Sequence, residues 1–307
     1  MYGIFLWGTG RHGIAERLDP LRLSDLPEPW PDDLHHRGPW RKALLVREGP
    51  ESNCLVSGKR AASPVIFVAG ACSSAMTLAW HFSDMDLLPE WGSAICISQW
   101  QGKGQLGRTW ISPPGNVYAA LRLPKAPPNF SGMMSLVIGY SIISVLQELG
   151  IPAKLKWPND VMVGEKKAGG ILIQNRLDIS LAGVGLNLMS APDIESLRSG
   201  HAVEATCLRV KGCKSSPLAL WELLVDRGRF FMEELLDADV PSAINRIQTN
   251  MIFRGQTVRV DDHTGRPPYR ATLMGLSQNG ELVLQTDDRV NTIRSGSISP
   301  LSDSKKE

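Results

Sequence analysis

The residues best placed to do chemistry on an anion are two lysines, an arginine and a run of closely set glycines. They fall in two segments. Gln99–Trp110 reads QWQGKGQLGRTW, and Lys156–Leu172 reads KWPNDVMVGEKKAGGIL. In the first, Gly102, Gly104 and Gly107 are interleaved with Lys103 and Arg108. Glycine costs roughly 0.5–1 kcal/mol relative to Ala in ordered chain, so several in one loop need a reason. One reason is close approach of bare backbone to a ligand, with N–H groups aimed at negative charge. The arginine fork matches phosphate geometry. Taken alone, the segment equally reads as a glycine-rich surface loop with no ligand.

The spacing Gly102-x-Gly104-x-x-Gly107 is also that of a dinucleotide-binding turn. A strand, Ala94–Ile97, does precede it, but a helix must follow, and Ser112-Pro113-Pro114-Gly115 cannot open one. No Asp or Glu occurs around Leu121–Phe130, where the ribose contact should fall. A nicotinamide or flavin site is therefore rejected.

In the second segment, Trp157-Pro158-Asn159-Asp160 makes a bend, Val161–Val163 a strand, Gly164-Glu165 a turn, and Gly169–Gln174 a return strand. Lys166 and Lys167 stand where the hairpin re-enters, beside Gly169 and Gly170. A lysine there either points at a ligand lying on bare backbone or is a solvated turn residue. A third thinned stretch, Gly183-Val184-Gly185-Leu186-Asn187, ends the strand from Ile179. Its Asn reads either as a donor and acceptor for a base or ribose, or as a turn cap.

Together these stretches resemble the motifs of the biotin–protein ligases. The glycine-rich loop is similar to that family's GRGRRGRxW motif. Trp157–Asp160 and Lys167–Leu172 are similar to its KWPND and KxxGIL motifs, and Gly183–Asn187 to its GxGxN strand end. Cys72-Ser73-Ser74-Ala75 stands where the family opens a helix with Ser-Thr-Asn. Gly275–Leu282 and Ser295–Ser299 resemble its small C-terminal barrel. The likeness runs over roughly residues 65–302 and sets the chain apart from lipoate-attaching relatives.

The resemblance implies an α+β fold. A mixed, largely antiparallel sheet with helices, like that of class II aminoacyl-tRNA synthetases and biotin ligases, is followed by a small SH3-like β-barrel. It divides the chain into an extension of unknown role (1–62), a catalytic domain (63–248), the barrel (249–302) and a tail (303–307). It implies a biotin–[biotin carboxyl carrier protein] ligase that forms biotinyl-5′-AMP from biotin and ATP. The biotin is then passed to a lysine of a carrier domain of a biotin-dependent carboxylase. The alternatives are a lipoate or octanoate ligase of the same fold and an inactive biotin-binding module.

By the same resemblance Lys167 and Arg108 are catalytic. Ser73, Ser74, Gln99, Gly102, Lys103, Gly104, Gly170 and Gly183 hold biotin, and Arg108, Trp110, Asn159, Asp160, Lys167 and Asn187 hold the nucleotide. No side-chain cluster forms a resident metal site; Mg²⁺ accompanies ATP, near Asp160. His201, Cys207 and Cys213 lack zinc spacing. The chain departs from the family where arginines usually stand: Gln105 and Leu106 replace them, and only Lys103 keeps the charge.

The bounds agree with such an enzyme. The 307 residues fit a large domain plus a small one. A net charge of +2 implies no strong field for nucleic acid or membrane. Five cysteines without a pairing pattern suggest a reducing compartment, hence the cytoplasm. Met1–Gly8 lacks a basic n-region and a long apolar core, so it does not read as a signal peptide. Residues 1–62 lack the amphipathic helices and basic recognition helix of a winged-helix domain, so no DNA partner is expected; a homodimer is compatible.

The elements that must position these residues follow from pattern. Strands are predicted at Val65–Ala69, Val117–Leu123, Leu155–Trp157, Val161–Val163, Gly170–Asn175 and Ile179–Leu186. Helices are predicted at Ser73–His81, capped by Ser73 or Ser74, at Ser131–Leu149 and at Pro217–Leu236. Four or five short strands are predicted between Phe253 and Pro300. The prolines of residues 1–62 exclude a long helix there.

Overall fold

The computed structural model describes residues 3–7, 13–16, 18–43, 54–59, 64–193 and 203–301. The tail 303–307 and His201 lie outside the described residues. In chain order the strands and helices are β1 (Ile4–Leu6), α1 (Trp30–His35), β2 (Trp40–Lys42), β3 (Leu55–Ser57), β4 (Ile66–Cys72), α2 (Ala75–Asp84), β5 (Ser93–Gln99) and β6 (Val117–Leu123). Then come α3 (Met134–Glu148), β7 (Ala153–Lys156), β8 (Asp160–Val163), β9 (Lys166–Arg176), β10 (Ile179–Leu186), α4 (Pro217–Asp237) and α5 (Val240–Thr249). The C-terminal strands are β11 (Thr257–Asp261), β12 (Tyr269–Leu276), β13 (Leu282–Gln285), β14 (Val290–Ile293) and β15 (Ser297–Pro300).

Ten strands form one sheet in the order β2-β3-β1-β4-β5-β6-β10-β9-β8-β7. Only β1–β4 and β4–β5 pair in parallel; the other neighbours are antiparallel. Alternation along each strand sends side chains to two apolar layers. On β4, Ile66 and Val68 join the layer shared with α3 and α4, while Phe67 and Ala69 join the layer under α2. There Phe67 stacks on Phe82 with ring centroids 3.9 Å apart. Because α3 is covered on nearly every side, its sequence is apolar almost throughout. A second, five-stranded antiparallel sheet, β14-β13-β12-β11-β15, is the small C-terminal unit. No helix among the described residues is long and apolar enough to cross a membrane.

The α+β architecture is the one expected, and two features differ in detail. Residues 1–62 supply strands β1, β2 and β3, which extend the sheet beyond β4. Their prolines do exclude a long helix, but they leave room for α1, whose Trp30 and Leu34 are fully buried. Helix α5 was not foreseen; it begins with an Asp239 cap and Pro241 in its first turn.

Candidate active site

The hairpin β8–β9 and its neighbours place the charged groups. Trp157-Pro158-Asn159 turns the chain between β7 and β8, so that Lys156 and Asp160 become cross-strand partners. Gly164, at φ +60, makes the next turn. Asn159 is buried and donates through Nδ2 to Ile171 O at 2.6 Å, tying the bend to β9. Asp160 sits opposite Gly170.

Asp160 is 9% exposed and both of its oxygens are occupied. Lys167 Nζ lies 2.6 Å from Oδ1 and Lys156 Nζ 3.0 Å from Oδ2. Burial pushes the carboxyl up, but Lys167 and Lys156 outweigh it and hold it down at about 2. The two lysines are not equivalent. The Lys156 side chain is 8% exposed, whereas that of Lys167 is 29% exposed. Lys167 lies over bare backbone, since a Cβ on Gly170 would be 3.6 Å from its Nζ. Its ammonium stands 5.3 Å from the centroid of the Trp110 ring.

Trp110 lies flat on the next strand. A Cβ on Gly185 would come within 2.7 Å of its indole, so only glycine leaves the ring room there. Gly102 is equally constrained: a Cβ would meet Trp110 O at 2.5 Å and Ser112 Oγ at 2.8 Å. Gly183 faces Met76. The glycine-rich loop folds back on itself through Gly104 N–H to Arg108 O and Trp110 N–H to Gly102 O. Leu106 takes φ +56 at its exposed tip.

At the other end, Ser74 is the N-cap of α2 and accepts from Thr77 N–H. Gln99 accepts from Ala75 N–H and donates to Ser112 Oγ, joining α2 to the segment that follows the loop. Ser73 N–H donates to Ile14 O, so the N-terminal segment borders this end. Among the described residues the Ser73 hydroxyl and the Trp110 indole N–H are both buried without a hydrogen-bond partner, as are the indoles of Trp7, Trp30 and Trp40. Buried polar groups are rarely left so, and at Ser73 and Trp110 a polar ligand could supply the missing partner.

The structure thus brings Lys167, Asp160, Gly170 and Trp110 together. It sets Ser73, Ser74 and Gln99 in a second group linked through Ser112, Trp110 and Gly102. Lys103 and Arg108 stand exposed on the loop, and no ion pair joins them to the Lys167 cluster among the described residues. Asn187 is buried, donates through Nδ2 to Thr206 O, and so fixes the chain after β10. Three positioning residues escaped the sequence reading. Lys156 was quoted only as part of a motif. Ser112 bridges Gln99 to Trp110 O. Asn116 Oδ1 accepts from Leu188, Met189 and Ser190 N–H, clamping the end of the Gly183–Asn187 stretch.

Part of the chain is similar to known proteins in sequence, and most of it in fold. Residues 69–188 match the model of the biotin/lipoate A/B protein ligase family. The bifunctional ligase/repressor BirA of Escherichia coli is 41% identical over 85 residues, which is 26% of this chain and 26% of that protein. A biotin–[acetyl-CoA-carboxylase] ligase of Paracoccus denitrificans is 32% identical over 120 residues, 36% of this chain and 50% of that protein. The matches therefore span from about a quarter to half of those curated relatives. A solved biotin protein ligase from Aquifex aeolicus, in complex with biotin and ATP, superposes with a TM-score of 0.63 at 25% identity, covering 76% of this chain and 97% of that one. Residues 69–188, from within β4 to just past β10, thus form a domain of the biotin/lipoate A/B protein ligase family.

Proposed function

We propose that the protein is an ATP-dependent biotin–protein ligase. It would activate biotin as biotinyl-5′-AMP and transfer it to a lysine of a biotin carboxyl carrier domain, in the cytoplasm. The carrying observation is Lys167: a partly exposed ammonium held at 2.6 Å by a buried carboxylate, over Gly170 and beside Trp110. A carboxylate is a poor electrophile. In the first step a biotin carboxylate oxygen attacks the α-phosphorus of ATP and pyrophosphate leaves. Both reactants are anionic, and Lys167 offsets their repulsion at the point where they meet. In the second step the carrier's amine attacks the acyl carbonyl and AMP leaves. Neither step needs a covalent enzyme intermediate, so catalysis is positioning and charge stabilisation.

The remaining assignments support this reading. Ser73, whose hydroxyl lacks a partner, with Ser74 and Gln99 receives the ring head of biotin. Gly102, Lys103 and Gly104 close over the ligand, Gly170 and Gly183 form the floor, and Arg108 on the exposed loop swings to the phosphates. Trp110 offers its ring to the nucleotide. Asn159 and Asn187 shape the hairpin and strand end, and Mg²⁺ enters bound to ATP, with Asp160 offering it no ligand because Lys167 and Lys156 occupy both carboxylate oxygens. The catalytic and binding residues lie within 63–248, with 249–302 as the barrel. Support also comes from the solved Aquifex aeolicus protein, which binds biotin and ATP.

The test is mass spectrometry of a carboxyl carrier domain incubated with the protein, Mg²⁺–ATP and either biotin or lipoate. Biotin added to one lysine supports the reading. Modification by lipoate alone makes the protein a lipoate ligase, and no modification of either kind refutes ligase activity.

A further inference from the structure

A buried carboxylate needs one cation, and Asp160 has two. Two ammonium groups on one carboxylate repel each other, so the second is held less tightly than a sole partner would be. Burying an amine is costly, and a hairpin needing only apolar filling at position 156 would carry an aliphatic residue. Lys156 also projects from a strand, where lysine is disfavoured. Its burial therefore calls for a reason other than closing the hairpin.

The arrangement supplies one. Lys167 is the more exposed of the pair and lies along the glycine floor beside Trp110, whereas Lys156 is enclosed. In the ligase reading, on which this step rests, Lys167 must leave Asp160 Oδ1 to meet the substrate anions. If it were the sole partner, its departure would strand a buried carboxylate, and that cost would be charged against the transition state. We infer that Lys156 is a positioning residue that keeps Asp160 neutralised, so that Lys167 can move from carboxylate to substrate. Before substrate binds, the cluster carries one surplus positive charge, matched to an incoming anion. Once Lys167 has moved, Lys156 and Asp160 remain as a balanced pair.

The experiment is a substitution series at position 156 in the full chain: Lys156→Arg, Lys156→Gln and Lys156→Met. Biotin-dependent pyrophosphate release gives kcat and KM, and thermal melting is recorded for each variant. The expected order of kcat is Arg, then Gln, then Met. Arg retains the charge and Gln retains only a donor to Oδ2. Met, the nearest apolar match in shape, is expected to lose about tenfold or more, the size of effect seen when preorganised charge stabilisation is disturbed. KM for biotin should stay within about threefold, since Ser73, Ser74 and Gln99 do not contact Lys156. A purely structural Lys156 predicts another pattern: Met retains kcat, or all loss follows the melting temperature. Either result overturns the inference. If Met fails to fold, the comparison of Arg with Gln decides, and equal kcat in those two refutes it. Unsubstituted protein that forms no biotinyl-AMP refutes the ligase reading itself. Active unsubstituted protein with an equally active Lys156→Met refutes only the role of Lys156.

Discussion

Lys167 and Asp160 make separable predictions, because one acts on the ligand and the other on the fold. Lys167, the second residue of β9, is partly exposed, and Lys156 still pairs with Asp160 in its absence, so Lys167→Ala should remain folded. Its adenylation rate should fall about 10²–10³-fold, the usual cost of losing one preorganised charge-stabilising group. Pyrophosphate release checks this, and a near-native rate would remove Lys167 from the chemistry. Asp160 is held at about 2, below the ordinary 3.8. A depressed carboxyl stabilises the fold above its unfolded value, and that contribution drains away as pH falls toward the folded one. Asp160→Asn should therefore cost about 2 kcal/mol at neutral pH. The gap to the native protein should close between about pH 4 and pH 2. Denaturant melts across that range test it, and a gap independent of pH would show that the ion pairs are not its source. At this scale the residues around Lys167 left it open between a ligand-facing lysine and a solvated turn residue, and only the resemblance to the ligase motifs chose between them. The sequence was silent about Lys156. A lysine in a strand reads as solvated, and only its cross-strand neighbour shows that it is enclosed.

Elements were legible where period and punctuation agreed. Val117–Leu123 and Ile179–Leu186 are strands over the residues expected, the first bounded by Gly115 and Pro124 and the second by the Leu177-Asp178 turn and Asn187. The short strands β1, β2 and β3 were not, since three-residue strands carry no readable period and their pairing is set by residues far along the chain. The start of α4 has the same kind of remote cause. Leu218 N–H donates to Asp33 Oδ2 at 3.0 Å, and Ser216 Oγ donates to Oδ1, so a carboxylate from α1 caps a helix far along the chain. Burial pushes the Asp33 carboxyl up while Ser216 and Leu218 pull it down. Asp33→Ala would leave an N-terminal donor of α4 buried and unpaired, at about 1–3 kcal/mol. Asp33→Asn keeps an acceptor and should lose less; denaturant midpoints distinguish the two. The glycine-rich loop makes a prediction of its own. Gln105 stands where the resemblance to the ligase motif implies an arginine. A charge-assisted hydrogen bond contributes roughly 1.5–3 kcal/mol against about 1 for a neutral one. Gln105→Arg should therefore slow the release of pre-formed biotinyl-AMP by about tenfold. An unchanged release rate would mean that other groups hold the loop.

Across the whole molecule, residues 1–62 read from sequence as a separate extension, because prolines and the absence of long periodic runs hide any core. Their side chains nevertheless enter the same apolar layers as the rest of the sheet. Ile4, Leu6, Leu23, Trp30 and Leu34 lie in the layer with α3 and α4, and Phe5 and Trp7 in the layer under α2. The backbone is joined as closely. Trp7 N–H donates to Val68 O, Glu16 N–H to Ala71 O, and Ser73 N–H to Ile14 O, along β4 and just past its end. The surface of the sheet is adapted to these residues. A Cβ on Gly70 would lie only 3.1 Å from Glu16 O, and these residues pack on both sides of β4, with Ile66 and Val68 in one layer and Phe67 in the other. Burying each large apolar side chain contributes about 1.5–3 kcal/mol. Several lost together approach the whole of a typical stability of about 5–15 kcal/mol. A protein beginning at residue 63 should therefore expose the β4 edge and an apolar face, and pair with itself rather than remain folded. The expected outcome is loss of soluble monodisperse protein in size-exclusion chromatography, and with it loss of biotinyl-AMP formation. A truncated protein that melts cooperatively near the native temperature and still forms biotinyl-AMP would show that β1–β3 are an appendage laid on a finished fold.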